Sequence, residues 1–283
     1  MLRALLIAAA VATVSGTVAY AADARLEAAV KGPARASAHV VRDIHRHPVE
    51  SLTFWGLKPG LTVIEAQPGT GYWTEILAPY AKATGGRYVA TAPDVDAPSA
   101  NEATRTGRKA FEARYADEAK FGKVAFAGFG PESRPLGAPA SADLVLTARN
   151  IHNWVWSGMI DKAMADFYAV LKPGGVLAIE EHRADPRPQA TEGRDGYLSI
   201  ATVVALAEKA GFRLVAQSDI NANPKDTKDH VFGVWTLPPY RAKAFPTFTK
   251  DWPGRPANVA YDAAKYEAIG ESDRMTLRFV KPG

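Results

Sequence analysis

The sequence predicts an α/β fold, a doubly wound and mostly parallel β-sheet with helices on both faces. Two observations predict it. Short apolar runs alternate along the chain with longer amphipathic segments, which is the pattern of parallel βαβ units. A glycine-containing turn follows the first of these runs directly, and open α/β sheets bind ligands beyond the carboxyl ends of their strands. That turn is therefore the first candidate for a functional site.

Seven short runs rich in aliphatic residues are predicted as strands. In chain order they are residues 61–64, 87–91, 124–127, 143–147, 176–180, 212–216 and 275–280. Four helices with apolar residues at helical spacing are predicted at residues 73–83, 101–121, 159–171 and 199–210. Proline and glycine mark element boundaries, as in Lys172-Pro173-Gly174-Gly175 before the fifth strand. The last run alternates apolar and polar residues in the manner of an edge strand.

The first 21 residues have the composition of a secretory signal peptide. Met1-Leu2-Arg3 is positively charged, residues 4–18 are apolar and uncharged, and Ala19-Tyr20-Ala21 fits a cleavage site. An uncleaved membrane anchor is the alternative, although the apolar run is short for a membrane span. We therefore expect a periplasmic or secreted protein that begins near Ala22 and keeps no stable membrane span.

Residues 22–283 are expected to form a single domain. Residues 22–56 indicate an N-terminal cap of short helices, and residues 219–272 indicate an irregular insertion before the last strand. The net charge of +4 is too small to predict nucleic-acid binding. The absence of cysteine excludes disulfides, a thiolate nucleophile and cysteine metal ligands. A small molecule is the expected partner, and the sequence does not indicate the oligomeric state.

The glycine turn has the residue types of a ligand-binding turn. Gly69 and Gly71 allow the backbone to turn tightly and to approach a ligand closely. Glu65, at the end of the first strand, is placed where its carboxylate could accept hydrogen bonds from a hydroxyl or an amine. A dinucleotide-binding turn is the rival interpretation, but it requires a third glycine where Thr74 stands. A P-loop is excluded because no Gly-Lys-Ser/Thr follows the turn.

Four landmarks in this order resemble the class I S-adenosylmethionine-dependent methyltransferases. They are the segment 57–71, the strand that ends near 91–94, the strand 143–146, and the Pro-Gly-Gly turn and strand at 171–177. More narrowly, Arg149-Asn150-Ile151-His152-Asn153-Trp154 and Glu271-Ser272-Asp273-Arg274 are similar to runs in an uncharacterised group of exported bacterial predicted methyltransferases.

The resemblance implies a seven-stranded Rossmann-like sheet, the class I methyltransferase fold, whose last strand is antiparallel. It implies S-adenosylmethionine as the cofactor. The residues expected to bind it are Glu65, Gln67, Gly69, Thr70, Gly71, Tyr72, Thr91, Asp94, Arg149 and Asn150.

The chain departs from the family pattern at three places. Gln67 stands where the family usually has glycine, and its side chain could crowd the methionine part of the cofactor. Asp94 is displaced from the end of the second strand. The usual acidic partner of adenine is missing at Gly128-Phe129-Gly130.

Three residues are candidates for catalysis: His152, Asn153 and His182. His152 follows the fourth strand, where a histidine could act as a general base or orient a substrate. A loop histidine that bonds to backbone is an equally good interpretation. His182 follows Glu180 and Glu181, and an adjacent carboxylate and imidazole could form an acid–base pair or a metal site. Because strand neighbours point to opposite faces, we expect His182 to converge with Glu180 rather than Glu181.

No metal site is predicted. His39, His45 and His47 with Asp43 match no helical metal motif, and we interpret them as a solvated helix face. The aspartates after residue 218 lack the spacing of a calcium loop.

The resulting functional prediction is an S-adenosylmethionine-dependent methyltransferase with an unknown, small-molecule acceptor. The alternative is an exported, catalytically inactive protein that binds a small ligand on the same fold, which Gln67 and the missing adenine partner favour. An NAD(P)-dependent oxidoreductase is less favoured because the third glycine is missing.

Overall fold

The computed structural model describes residues 23–186, 194–243 and 260–283. Its centre is a seven-stranded sheet in the order β3-β2-β1-β4-β5-β7-β6. The strands are β1 Thr62–Ala66, β2 Arg87–Ala92, β3 Val124–Gly128, β4 Ala142–Ala148, β5 Leu171–His182, β6 Arg213–Ser218 and β7 Arg274–Val280. Six strands are parallel and β7 is antiparallel to both of its neighbours, which confirms the predicted fold class.

Eleven α-helices surround the sheet in the described residues. They are α1 Ala24–Val30, α2 Ser37–Val40, α3 Asp43–Arg46, α4 Pro48–Phe54, α5 Thr74–Thr84, α6 Glu102–Arg114, α7 Glu118–Phe121, α8 Ile151–Trp156, α9 Ile160–Val170, α10 Ile200–Lys209 and α11 Ala263–Ile269. Strand order reverses between β1 and β4, so the loops after these two strands frame a crevice at the carboxyl edge of the sheet.

Side chains of the central strands alternate between two cores. In β4, Val145 packs on the face covered by α9 and α10, whereas Leu144 and Leu146 pack on the face covered by α1, α4 and α5. This two-sided burial explains why β4 is a continuous apolar run in the sequence.

The last strand is internal, so the expectation of an edge strand was wrong. β7 lies between β5 and β6, and the sheet edges are β3 and β6. Arg274, Thr276 and Arg278 supply the polar positions of its alternation; the first two are buried and Arg278 is half-buried. Thr276 accepts a hydrogen bond from Asn221, and Arg274 pairs with Glu271 and Glu180. The alternation reflects polar partners within the protein rather than solvent.

The N-terminal cap, α1 to α4, is packed against the sheet. Trp55, at the end of α4, is completely buried and its indole N–H donates to the Leu277 carbonyl on β7 at 3.1 Å. The interpretation of a solvated helix face is wrong for His39, which is buried with its Nδ1 2.8 Å from Glu75 Oε2. Asp43 is paired with Arg35.

The described residues of the predicted insertion, 219–243 and 260–272, include two short helical elements. A 3-10 turn lies at Gly233–Thr236, and α11 was not predicted. Phe232 and Val234 pack with Tyr197 in a small third core.

The signal peptide predicted for residues 1–21 lies outside the described residues. Among the residues that are described, no helix is long and apolar enough to cross a membrane.

We predict that the cap is an integral part of the fold. Trp55→Ala should lower the free energy of unfolding by about 3–5 kcal/mol, because it leaves a cavity and an unpaired Leu277 carbonyl. Urea unfolding measures the difference. Ile44→Ala, at a cap position that is 74% exposed, is the matched control and should change stability by less than about 0.5 kcal/mol. Equal effects of the two substitutions would show that the cap is not docked.

Candidate functional site

A cavity of about 90 Å³ lies at the carboxyl ends of β1 and β4. Eleven residues line it: Arg46, Glu65, Gln67, Pro68, Gly69, Thr70, Tyr72, Trp73, Ala148, Arg149 and Asn150. They come from the cap, from the glycine turn after β1 and from the loop after β4. The cavity therefore occupies the crevice at which the strand order reverses, where ligands of open α/β sheets bind.

A larger groove of about 350 Å³ lies between α9 and α10. Its lining is mostly Ala, Leu and Met, and its ionised pair, Lys209 with Asp161, is exposed. The groove has no convergent polar groups of the kind that orient a ligand. We therefore take the smaller cavity at the glycine turn as the candidate site.

The two glycines of the turn have different surroundings. Gly71 has φ +92°, and a Cβ at this position would lie 1.7 Å from the hydroxyl of Tyr115. Gly69 has φ +60°, but a Cβ there would meet no atom within 4 Å. Gly71 is therefore a packing requirement, whereas Gly69 keeps open space beside the cavity.

Glu65 is buried at the end of β1. Its Oε2 accepts hydrogen bonds from the hydroxyls of Thr74 at 2.9 Å and Tyr88 at 2.5 Å. Burial raises the pKa of Glu65 to about 7, against the lowering effect of these two hydroxyls. Thr74, at the position of the third glycine in a dinucleotide-binding turn, is thus a partner of Glu65. This use of Thr74 disfavours the oxidoreductase interpretation.

Gln67 has a left-handed backbone in the turn after β1. Its φ is +50°, a conformation that costs a non-glycine residue about 1 kcal/mol. The side chain Oε1 accepts a 2.5 Å hydrogen bond from the indole N–H of Trp154 on α8. Gln67 therefore joins the turn after β1 to the helix after β4. Trp154 belongs to the core, since it packs against Phe129 and Phe167.

Two polar side chains hold the turn in place. The amide of Asn150 donates to the carbonyls of Ala66 and Gln67 at 3.1 and 3.2 Å. The hydroxyl of Thr91, at the end of β2, accepts from the Gln67 backbone N–H at 2.8 Å. Asn150 lines the cavity, but Thr91 does not. Thr91 can therefore affect a ligand only indirectly, by holding the backbone of the turn in position.

Asp94 lies outside the cavity lining. Its carboxylate accepts from the backbone N–H groups of Asp96 and Arg134, at 3.0 and 3.3 Å. It packs against Gly128, where an added Cβ would come within 2.6 Å of its carboxyl carbon. The absence of a side chain at Gly128 therefore gives Asp94 its place at the carboxyl ends of β2 and β3.

Arginine side chains dominate the polar wall of the cavity. Arg46 is completely buried, its Nε donates to Glu271 Oε2 at 2.9 Å, and its guanidinium stacks on the ring of Tyr72 at 4.4 Å. Arg149 has φ +60° and lies 4.0 Å from the same carboxylate. Arg46 and Glu271 were not among the predicted site residues. Only the run from Glu271 to Arg274, noted in the family resemblance, was a signal in the sequence.

His152 forms a close pair with Glu181 beside the cavity. It lies in α8 and not in a loop, and it is buried. Its ring Nδ1 is 2.9 Å from Glu181 Oε1, and its backbone N–H donates to Glu181 Oε2 at 3.2 Å. Because a carboxylate only accepts, Nδ1 carries a proton, and the neutral ring in this tautomer has its lone pair on Nε2.

The expected convergence of Glu180 with His182 was wrong. Glu180 faces the cap side of the sheet, where it pairs with Arg274, and Glu181 faces α8. His182 instead places its Nδ1 2.5 Å from the hydroxyl of Ser272. Burial, aided by His152 and Arg149, holds the pKa of His182 well below its ordinary value, so the ring is neutral at neutral pH.

His152, Glu181 and His182 bring one ligand atom each within 4.8 Å of one another, a distance compatible with a shared cation. Glu181 already accepts three hydrogen bonds, from His152 Nδ1, the His152 backbone and the His182 backbone. These contacts account for the carboxylate without a metal ion. Asn153, the third predicted catalytic residue, is half-buried on α8, and its side chain forms no hydrogen bond with the described residues.

Seven of the ten predicted cofactor residues therefore line one cavity, and Gly71, Thr91 and Asp94 lie outside its lining. His152 and His182 form a second group, with ring centroids 5.2 Å apart. Arg149 lies close enough to His182 to affect its pKa, so the two groups are neighbours. Glu181 was missed because strand alternation pointed to Glu180, and the position of α8 could not be derived from the sequence.

We predict that Glu65 makes the protein less stable as the pH rises. Its pKa is about 7 in the folded state and near 4.5 in a solvated chain, so its contribution is fully present below pH 4.5 and lost by about pH 7. Glu65→Gln should therefore gain stability relative to the wild type between pH 4.5 and 8, by on the order of 3 kcal/mol in urea unfolding. Glu50→Gln, at an exposed position, is the matched control. A pH-independent difference between wild type and Glu65→Gln would contradict the prediction.

Comparison with known proteins gives likeness in structure but not in sequence. No protein-family model matches the chain, and no curated protein matches it. The [4+2]-cyclase SpnF is 15% identical, with a TM-score of 0.54 over 89% of this chain and 85% of that chain. A protein from Galdieria sulphuraria, provisionally described as a sarcosine dimethylglycine methyltransferase, is 12% identical, with a TM-score of 0.50 over 86% of each chain.

A third solved structure, a SAM dependent methyltransferase from Aquifex aeolicus, is 22% identical over 64% of this chain and 87% of that chain, with a TM-score of 0.47. At these identities the first two structures show the fold alone. Together with the strand order and the antiparallel β7, they establish that the chain has the class I methyltransferase fold.

Proposed function

We propose that this chain is an S-adenosylmethionine-dependent methyltransferase that acts on a small-molecule acceptor. The observation that carries the proposal is the cavity at the carboxyl ends of β1 and β4, which seven of the predicted cofactor residues line. The fold places this cavity at the reversal of strand order, where doubly wound sheets bind ligands.

The residues of the cavity fit such a cofactor. Gly69 leaves open space toward a ligand, and Asn150 and Thr91 fix the turn by hydrogen bonds to its backbone. Glu65 offers a carboxyl group to the amine of the cofactor's amino-acid end, and Arg46 offers a guanidinium group to its carboxylate. When bound, the cofactor supplies a methyl group on a positively charged sulfur.

The cavity is smaller than the ligand it is proposed to accept. Pockets for ligands of drug size usually enclose about 300 Å³ or more, and this one encloses about 90 Å³. The hydrogen bond between Gln67 and Trp154 closes one side of it. Binding therefore requires side chains to move. Movement of the Gln67 side chain would break the hydrogen bond that joins the glycine turn to Trp154 of α8.

His152 is the proposed general base. Glu181 holds Nδ1–H, so Nε2 is the atom that takes a proton from a hydroxyl or an amine of the acceptor. Methyl transfer itself needs mainly alignment of the two reacting groups. His152 is thus required only for an acceptor that loses a proton.

The neighbouring structures show why binding must be tested before the reaction. One is described as a cyclase and another as a methyltransferase, so the same fold serves different reactions. The exported, inactive binding protein remains the alternative outcome. Export to the periplasm, and kinship with the exported bacterial group, are also proposals; N-terminal sequencing of the protein from cells would test for a start near Ala22.

The first test is calorimetric titration of the purified protein with S-adenosylmethionine and S-adenosylhomocysteine. We expect micromolar binding of both to the wild type and roughly tenfold or greater loss in Gly69→Ala, whose methyl enters the space beside the cavity. Gly85→Ala is the matched control, because Gly85 has φ +71°, also has open space, and lies at the end of α5. A well-folded wild-type protein that binds neither compound would refute the proposed function.

The second test concerns the tautomer of His152. We expect the ¹⁵N resonances of this ring to show protonated Nδ1 and unprotonated Nε2, since Glu181 accepts from Nδ1. Glu181→Leu should remove this preference, and it should lower kcat by roughly 10²-fold or more for an acceptor that loses a proton. Glu208→Leu, on α10, is the control for loss of a carboxylate elsewhere. A ring protonated at Nε2 in the wild type would rule out His152 as the base.

A further inference from the structure

One turn of helix in the cap is attached to the protein through a single buried side chain. The helix is α2, flanked by Ala36 and Val41, and we call residues 36–41 the α2 flap. Only His39 of the flap is buried, and the other five residues are exposed. Val40 and Val41 are 45% and 68% exposed. The flap therefore has almost no apolar attachment to the protein beneath it.

The cap segment around the flap also lacks apolar packing. The hydrophobic cores formed by the described residues take no side chain from positions 35–47, although Ala34 and Leu52, on either side, belong to one of these cores. Regions with few buried apolar contacts open locally at a low free energy. The segment can therefore separate from the protein without exposing a core.

Charged contacts fix the two ends of the flap. Arg35, just before it, donates to both carboxylate oxygens of Asp43, at 2.6 and 2.8 Å. Arg42, just after it, donates to Glu271 at 2.6 Å. Movement is thereby confined to the six residues between these anchors.

His39 joins the flap to two elements at the candidate site. Its Nδ1 lies 2.8 Å from Oε2 of Glu75, in the first turn of α5, and its Nε2 lies 3.2 Å from the hydroxyl oxygen of Thr70 in the glycine turn. The same oxygen of Glu75 accepts from the backbone N–H of Ala36 at 2.8 Å. Because a carboxylate only accepts, Nδ1 carries the proton that faces Glu75. Both ring nitrogens of His39 therefore hold the flap in place.

Glu75 depends on the flap for its partners. Its side chain is buried, and in the described part of the chain His39 is the one side chain that forms an ion pair with it. A buried carboxylate that loses its donors is costly until water replaces them. The contacts to Glu75 are therefore the main interactions that water must replace when the flap detaches.

The flap lies at the rim of the cavity. Thr70 lines the cavity, and it is exposed together with Gln67 and Gly69 of the same turn. Tyr72, another lining residue, meets the ring of His39 edge-on at 5.9 Å. Since a cavity of about 90 Å³ must widen to admit a nucleoside, movement at this rim is required.

We propose that the α2 flap is a gate at the rim of the candidate site and that His39 and Glu75 form its latch. The closed latch fixes the glycine turn from the cap side through Thr70. The open latch frees the turn on that side, so that a ligand enters or leaves. The inference rests on the proposed function for the molecule that passes the gate. Neither His39 nor Glu75 lines the cavity, so the latch sets rates of exchange rather than affinity.

The first experiment measures binding and release rates of S-adenosylhomocysteine by stopped-flow tryptophan fluorescence, with Trp73 in the cavity lining as a reporter. His39→Ala should raise both rate constants by roughly tenfold or more, because hydrogen bonds to charged groups hold the gate closed. Their ratio, Kd, should stay unchanged. The double variant with Glu75→Ala should be no faster than the faster single variant, because both substitutions remove the same latch.

Two further variants separate the latch from the flap as a whole. Val41→Ala alters an exposed position of the flap without touching the latch, and it should behave as the wild type does. His39→Asn keeps an N–H group that can donate to Glu75, and its rates should lie between those of the wild type and His39→Ala.

The second experiment measures opening without a ligand. Amide hydrogen exchange in His39→Ala should accelerate at Ala36, whose N–H donates to Glu75, and at Val40 and Val41 in the flap. The amide of Trp55, which donates to the Ser51 carbonyl in α4, should keep its protection.

Unchanged exchange in the flap of His39→Ala would overturn the inference. So would a rise in the release rate alone with a matching rise in Kd, because His39 would then contribute to affinity. Faster exchange at Trp55 as well as in the flap would show that the cap opens as one unit, which also contradicts a local gate. A wild type that binds no S-adenosylhomocysteine refutes the proposed function, whereas faster exchange confined to the flap of His39→Ala still supports the latch.

Discussion

The rest of the site depends on the hydrogen-bonded ion pairs that the Glu271 carboxylate makes with three arginines. This carboxylate accepts from Arg42 and Arg46 of the cap, at 2.6 and 2.9 Å, and from Arg274 of β7 at 2.6 Å. Burial alone would raise its pKa, but the surrounding guanidinium groups hold the pKa well below its ordinary value. One ionised side chain thereby joins residues more than 220 positions apart. Removing it would leave several buried charges without a partner, which is far more costly than losing a surface ion pair.

The functional groups of the crevice fall on the two faces of the sheet because strand alternation sends them there. Glu180 points to the cap and pairs with Arg274, whereas Glu181 points to α8 and orients His152. The cap side carries positive charge, and the α8 side carries a histidine with a fixed tautomer. The hydrogen bond between Gln67 and Trp154 links the glycine turn to α8, the helix that carries His152. A displacement of the turn would therefore act on that helix.

The fold narrows the possible chemistry without choosing it. Doubly wound sheets place ligands at the same crevice whatever the reaction, and the similar structures include proteins described as a cyclase and a methyltransferase. What distinguishes this chain is the side chains around that crevice. Gln67 has a left-handed backbone and brings an amide oxygen into the turn, where it accepts a hydrogen bond from Trp154. Arg46 and Arg149 add positively charged guanidinium groups to the lining of the cavity.

The sequence by itself determined the seven strands, the glycine turn and three of the four long helices, because apolar periodicity and turn residues act over a few neighbouring positions. The helix predicted at 101–121 is divided into α6 and α7. Seven of the ten residues that the sequence offered as cofactor candidates line one cavity, since the ends of parallel strands meet at one edge. Tertiary structure alone decided that β7 is internal, that Glu181 rather than Glu180 orients His152, and that Arg46 enters the site. Each of these depends on which distant segments pack together. Such contacts join residues that are far apart in the chain, so the local sequence pattern around any one of them does not predict its partner.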